Sequence, residues 1–325
     1  MAEIKIIKYT PDYFDKWNTF IESSNNGTIF HRLDFLAYHG RKFLNNEHHL
    51  IFLKGEHIFA VMPMAIFEIE GRIIAKSPFG GSYGGIVTRE VTNYSTSKKI
   101  ITLLIDYLNK IAADEIIITD PPSFLSKVPS DTLLFSFLEE GFKITNSDIS
   151  SIVTLDDQKI DNGMFTTRER NVARKARKAR KANVIAKFNQ SIEDFWMVME
   201  LTFQKHNAKP THVYNEWKYL CEKFPNRFWN DVAYIDNKPV AGIGHIKIND
   251  LTDSSFYLCN DPEFYETQAL SLLIYESLLQ AQSIGYKRFD FGTSSVNMVA
   301  RENIFRFKES FGAIGVFRHT LQLEF

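Results

Sequence analysis

Apolar residues recur at helical spacing near 13–24 and 33–44, after which the period shortens. Runs at 49–54, 58–67 and 72–77, rich in Ile, Phe and Val, read as strands. A glycine-rich stretch, SPFGGSYGG, then leads into a helix near 97–112, a strand EIIIT, a short helix TLLFSFLEE and a strand pair from 142 to 155. After residue 185 the same order returns. Helices are predicted near 192–206 and 214–224, and strands near 231–235, 239–248 and 253–259. The closing elements are a helix TQALSLLIYESLLQAQSI stopped by Gly285, a strand KRFDF, a helix NIFRFKESF and terminal strands through VFRHTLQLEF.

The repetition extends to residues. KGEHIFAVMPM and IDNKPVAGIGH both read as a polar turn entering an apolar strand. At one constant offset Asp120 matches Asp290, Phe135 matches Phe305, Phe137 matches Phe307 and Glu139 matches Glu309. A tandem structural repeat is the reading these matches support. Two helices, three meandering strands, a helix, a strand, a helix and a last strand make an α/β chain of the α+β kind, each half a mixed sheet flanked by helices.

Length and composition agree with two domains. The chain has 325 residues and 44% hydrophobic content, enough for two ordinary cores. Expected boundaries are 1–160 for the first domain, 161–185 for a connector and 186–325 for the second. A formal net charge of -1 argues against whole-molecule attraction to polyanions. Two cysteines without paired spacing, Cys221 and Cys259, suggest neither a disulfide framework nor a Cys-based zinc site, which fits a cytoplasmic location. No N-terminal signal pattern is seen, and the longest apolar run, IFAVMPMAIF, is too short for a transmembrane segment. A peripheral membrane contact stays open.

Charge is concentrated in the connector. RERNVARKARKARKANV, residues 168 to 184, holds eight Arg or Lys between Arg168 and Lys181. At about 100° per residue, Arg170, Arg174, Arg177, Lys178, Arg180 and Lys181 fall on one face and Val172, Ala176, Ala179 and Ala182 opposite. The small-residue face is suited to close packing, and the basic face to an anionic substrate. A solvated linker helix is the bland alternative.

The stretch FDFGTSSVNMVARENIFRFKESFGA, Phe289 to Ala313, together with the basic helix and SPFGGSYGGIV, resembles the FemAB-like group of the GNAT (N-acetyltransferase) superfamily. Its specific part is the pair Phe307-Lys308 followed by Phe311-Gly312. The resemblance implies two tandem GNAT-like domains and transfer of an acyl or aminoacyl group to an amine acceptor in an interdomain cleft. Members of that group include enzymes that draw on aminoacyl-tRNA to extend peptides of peptidoglycan precursors. The resemblance also implies that Lys308 lies near the attacked carbonyl. The residues add a reason: the repeat sets Leu138 at the matching place, so a charge stands where its twin is apolar.

Acyl transfer needs a neutral amine and a donor group aimed at the developing oxyanion. Lys308 and Asp290 are the catalytic candidates, Asp290 as a base or as a structural carboxylate like Asp120. Ser294, within GTSSVNMVARE, and Phe307 are candidate substrate contacts, although Thr293, Ser294 and Ser295 equally suit helix capping. In the first half Ser82 and Tyr83, set among four glycines, are expected to wall the acceptor site, and His31 is a further candidate. No metal is expected, because His48 and His49 are adjacent and no other metal spacing appears. Neither a Walker loop nor a Gly-x-Ser-x-Gly elbow is present.

One departure bears on the donor. Where an acetyl-CoA-using GNAT carries a glycine-rich pyrophosphate loop, this chain reads CNDPEFYETQAL, with Asp261, Glu263 and Glu266. No cofactor is certain. Acyl-CoA and aminoacyl-tRNA are both candidate donors, and a small molecule or peptide amine is the expected acceptor. Sequence-specific nucleic-acid reading is not expected. A duplicated scaffold that only binds an anionic ligand is the non-catalytic alternative.

Overall fold

The computed structural model describes residues 3–155, 167–205 and 207–325, with side chains from residue 173 onward in the second stretch. It divides into two compact units, Met1–Ile149 with Val316–Phe325, and Ser150–Gly315. The expected boundary near 160 misses two facts: the strand Lys143–Thr154 passes from the first unit to the second, and the strand Ile314–Glu324 passes back. The last strand returns because it pairs with the first unit's Glu115–Thr119, Leu321 opposite Ile118.

In unit 1 the strands β1 (Ile4–Lys8), β2 (Leu50–Lys54), β3 (His57–Met62) and β6 (Val87–Thr88) form an antiparallel sheet in that order. A second run comprises β4 (Ala65–Ile69), β5 (Arg72–Ser77), β7 (Glu115–Thr119) and β16 (Ile314–Glu324), with β5 and β7 parallel. The single strand predicted at 58–67 is thus two, interrupted at Pro63, which has no N–H to give to a ladder. Helices α1 (Phe14–Ser23), α2 (Leu33–Leu36), α3 (Tyr94–Lys110) and α4 (Thr132–Glu139) complete the unit. Helix α3 begins where the Asn93 side chain accepts the Thr96 N–H at 3.0 Å, and its apolar face buries Ile100, Leu104 and Leu108 against Phe52, Ile116, Phe137 and Leu321.

Unit 2 is built on one sheet, in the order β8 (Lys143–Thr154, from Ser150 on), β13 (Arg288–Thr293), β12 (Thr252–Asn260), β11 (Lys238–Asn249), β10 (Phe228–Ile235) and β9 (Ile185–Lys187). Strands β12 and β13 run parallel, Ser254 opposite Asp290; the other pairings are antiparallel. The predicted pair at 142–155 is the one long strand β8. On one face, α5 (Thr167–Lys181) and α8 (Ala269–Ser283) pack with Ala176 and Ala179 among Ile243, Leu272, Phe289 and Phe311. On the other face, α6 (Ile192–Lys205) and α7 (Tyr214–Lys223) bring Phe195 and Trp217 so close over Gly242 and Gly244 that an added Cβ would meet ring carbons at 2.9 Å. The short hairpin β14 (Ser295–Val296) and β15 (Val299–Ala300) leads to α9 (Glu302–Glu309). Among the described residues, no helix is long and apolar enough to cross a membrane.

Three buried charges tie the central strands of unit 2. His245 on β11 is 1% exposed; its Nδ1 lies 3.0 Å from an Asp253 oxygen on β12 and its Nε2 lies 3.1 Å from an Asp231 oxygen on β10. The second approach is an ion-pair distance, at an angle that makes no hydrogen bond. Burial alone would lower the imidazole pKa, but Asp253 and Asp231 outweigh it and push it up to about 10. Trp229 stacks on the ring at 4.8 Å.

Candidate functional site

Unit 2 assembles its candidate residues at the end of β13. Strand alternation buries Phe289 and Phe291 together in the core beneath α5 and α8; Asp290, between them in sequence, is buried too. Gly292 then adopts φ +69°, a conformation L side chains rarely hold, and ends the strand's regular course. Helix α9 is amphipathic in an unusual sense, because its buried residue is a lysine. Phe307 packs on Phe311 with ring centroids 5.2 Å apart, and Phe311 meets Phe291 at 5.9 Å, which docks the helix end on the strand.

Lys308 is therefore only 6% exposed, and its Nζ donates to the carbonyls of Gly292 at 2.9 Å and Thr293 at 2.7 Å. Burial lowers its pKa to about 8, with the negative charge of Asp290 opposing the fall. The Asp290 carboxylate accepts the Gly292 N–H at 2.7 Å, so the same turn is held by both residues. Ser294 is fully buried, its hydroxyl 2.6 Å from that of Ser151 on β8. The ammonium, the carboxylate, Ser294 and Phe307 thus belong to one locality of unit 2.

The basic helix α5 lies in the same unit. Its alanine face is buried and its Arg174, Arg177, Lys178, Arg180 and Lys181 are exposed, in the phase expected from 100° per residue. Lys178 pairs with Glu266 at 3.3 Å and Arg180 with Glu276, whereas Arg174 meets no carboxylate among the described residues. Arg177 donates to the Ala173 carbonyl one turn back. The Arg170 side chain lies outside the described residues. Lys175, passed over in the sequence because it sits off the basic face, is half-buried with Nζ 5.9 Å from the Phe311 ring centroid; burial, with Arg174 nearby, lowers its pKa.

The segment after β12 forms a 3-10 turn, Pro262–Thr267, rather than a glycine loop. Asp261 caps it by accepting the Glu263 N–H and holds Lys238 at 3.1 Å. Three carboxylates, Asp261, Glu263 and Glu266, therefore stand just before α8.

In unit 1, His31, Ser82 and Tyr83 gather around the glycine-rich loop. His31 is 1% exposed with both ring nitrogens engaged: Nδ1 accepts the Thr28 N–H, and Nε2 lies 2.8 Å from the Gly84 carbonyl. Burial lowers its pKa to about 4 against the pull of those backbone bonds, so it is a neutral brace for the loop. Tyr83 is buried, edge-on to Phe30 at 5.6 Å, and the Ser82 carbonyl accepts a hydrogen bond from Arg318 on β16. Arg318 had no signal in the sequence beyond being a polar position in a terminal strand.

Unit 1 also has a cavity of about 310 Å³, lined by Asn25, Asp120, Asp131, Leu134 and His319 among others. Asp120 keeps part of its surface open to it, yet the protein around its carboxyl raises the pKa to about 7. Asp120 and Asp290 are not equivalent in place: Asp120 follows the last residue of β7, whereas Asp290 is the third residue of β13. The helices α4 and α9 do share the constant offset, with Leu138 at the place of Lys308.

No family model matches the sequence, and no curated protein matches it at a significant level. Solved structures do match. The crystal structure of FemX aligns over 99% of this chain and 97% of its own, with a TM-score of 0.72 at 12% identity. The C-terminal domain of a putative lysylphosphatidylglycerol synthetase from Agrobacterium fabrum aligns over 96% of this chain and 91% of its own, TM-score 0.61, 10% identity. A tandem GNAT protein from the clavulanic acid biosynthesis pathway aligns over 99% and 98%, TM-score 0.54, 8% identity. At such identities the likeness establishes the fold, a FemAB-like tandem GNAT arrangement of mixed α/β sheets flanked by helices.

Proposed function

We propose, from the premise of a FemAB-like tandem GNAT fold, that this protein transfers an acyl or aminoacyl group from an activated donor to the amine of a small-molecule or peptide acceptor. The observation that carries this reading is Lys308, a buried ammonium set at a strand end on two backbone carbonyls. A lysine has three N–H donors, and two are taken by Gly292 and Thr293. The third is left for an oxygen brought to the site. With a pKa of about 8, the group is still mostly protonated near neutral pH.

In the proposed step the neutral amine of the acceptor attacks the donor's carbonyl carbon, forming a C–N bond. The electron pair moves onto the carbonyl oxygen, where the Lys308 ammonium stabilises it, and returns as the bond to the donor's leaving oxygen or sulfur breaks. Asp290 serves as a positioning residue in this reading: its carboxylate is engaged by the Gly292 N–H and favours the charged form of Lys308. The attacking amine's proton leaves through another group.

Asp261 and Glu263 ahead of α8 disfavour a pyrophosphate there, and the exposed cations of α5 favour a polyanionic donor such as aminoacyl-tRNA over acyl-CoA. The test is transfer from radiolabelled acetyl-CoA or aminoacyl-tRNA to a panel of amines and peptides bearing a free amine. Turnover by the wild-type protein should fall roughly 100-fold or more in Lys308→Met. A folded Lys308→Met protein with undiminished turnover would end the assignment. Charge reversal at Arg174 and Arg177 should raise the donor's Michaelis constant and leave the melting temperature in place; unchanged kinetics would return α5 to a solvated helix.

A further inference from the structure

Two arginines of unit 1 are half-buried, Arg32 and Arg318. Arg32 is gripped by Glu22 and by Asp34. Arg318, on β16, is held differently. It is half-buried, yet no carboxylate among the described residues comes within ion-pair distance. A guanidinium keeps its charge at physiological pH, and no carboxylate among the described residues balances it.

Its geometry is fixed all the same. One terminal nitrogen donates to the Ser82 carbonyl at 2.5 Å, and the guanidinium carbon sits 5.0 Å from the centroid of the buried Tyr83 ring. That one bond leaves most of the five N–H donors without a hydrogen-bond acceptor among the described residues.

The loop does not need Arg318 to hold it. Gly80 offers its carbonyl to His39 Nε2 at 2.6 Å, the Gly84 N–H donates to Thr119, the Gly85 N–H donates to Ser77, and His31 braces Gly84. Gly80 holds φ +66° with the His39 ring against it, so no side chain fits there. The arrangement is a rigid, closely backed loop with a pre-oriented cation beside it.

We infer that Arg318 anchors an anion-binding subsite of unit 1, which takes a carboxylate or phosphate group through the free edge of the guanidinium. A planar fork of N–H groups meets the two oxygens of either anion in parallel, and the Ser82 hydroxyl, with no hydrogen-bond partner among the described residues, is a neighbouring donor.

The experiment is a titration of 15N-arginine-labelled protein, following the Arg318 Nε signal, assigned by its loss in Arg318→Lys. Sodium phosphate and sodium acetate are added separately against sodium chloride at matched ionic strength. A saturable shift with phosphate assigns a phosphate group, and one with acetate assigns a carboxylate; either supports the subsite. In uniformly 15N-labelled protein the Ser82 amide should report binding weakened by about tenfold or more in Arg318→Lys, because an ammonium cannot reproduce the fork. Shifts that merely follow chloride for both anions overturn the proposal, as does equal binding by Arg318→Lys. If the variant fails to fold, the wild-type titration decides alone. No turnover enters this readout, so the subsite and the role of Lys308 stand or fall separately.

Discussion

Replacing Lys308 by methionine should make the protein more stable while removing its activity. In the folded chain the lysine's pKa is lowered from 10.5 to about 8, chiefly by burial. That shift corresponds to a cost of roughly 3 kcal/mol for keeping the ammonium charged at neutral pH. Methionine has a similar shape and no charge, but it leaves the carbonyls of Gly292 and Thr293 without their donor, at about 1 kcal/mol each. The balance is a net gain of about 1 kcal/mol at pH 7. Between pH 8 and 10.5 the unfolded chain binds more protons at this lysine than the folded one, so wild-type stability rises with pH there. Lys308→Met lacks that rise, and its advantage should shrink across the window and then reverse. Urea unfolding at pH 7, 9 and 10.5, followed by the fluorescence of Trp196, Trp217 and Trp229 in unit 2, measures the difference. A variant less stable than wild type at pH 7, or a gap that does not change with pH, would show that the buried charge is not costly. The residue would then be an ordinary packing lysine, and its place in the site would lose its physical motive.

His245→Gln should cost about 3–5 kcal/mol, because Asp231 and Asp253 would remain buried without their shared cation. The raised histidine pKa makes this stabilisation complete below about 6.5 and lost as pH rises through about 10, so a wild-type melt that is flat from pH 7 to 10.5 would refute it. Asp120 has the opposite sign to an ordinary salt-bridged acid. The folded chain keeps its proton between pH 3.8 and about 7, so its contribution to stability declines as pH rises through that range. Asp120→Asn should remove the decline and stabilise the protein by up to about 4 kcal/mol at pH 8, as read by calorimetry at pH 5 and 8.

The parts legible in the sequence were those decided locally. Turn chemistry announced the β10–β11 hairpin, where Asp236 and Asn237 hold φ of +48° and +63°. The phase of α5 followed from alanines every three residues, and Ala176 and Ala179 are fully packed. Lys308 stood out by contrast with Leu138 and by its aromatic flank. What escaped was decided by long-range pairing. The bond from Arg318 to Ser82 spans 236 residues, and nothing in a strand's alternation says which loop its polar residues will meet. The same holds for His245, whose partners come from the two neighbouring strands, and for β16, whose membership in unit 1 rests on its ladder with β7. His31 and Tyr83 are candidates for the acceptor site by residue type alone; a sequence shows residue type and not burial, and both are sealed inside.

The route of β16 also orders the protein's birth. Unit 2 is a continuous stretch, Ser150–Gly315, whereas unit 1 needs Val316–Phe325 to cover β7 and to deliver Leu321 to its core. A nascent chain emerging from the ribosome can therefore finish unit 2 while unit 1 still exposes the flank of β7, and the Ser82 loop receives Arg318 only after all of unit 2 has been made. A chain stopped just before Val316 would keep every residue of the later unit and leave the earlier one without the strand that covers β7.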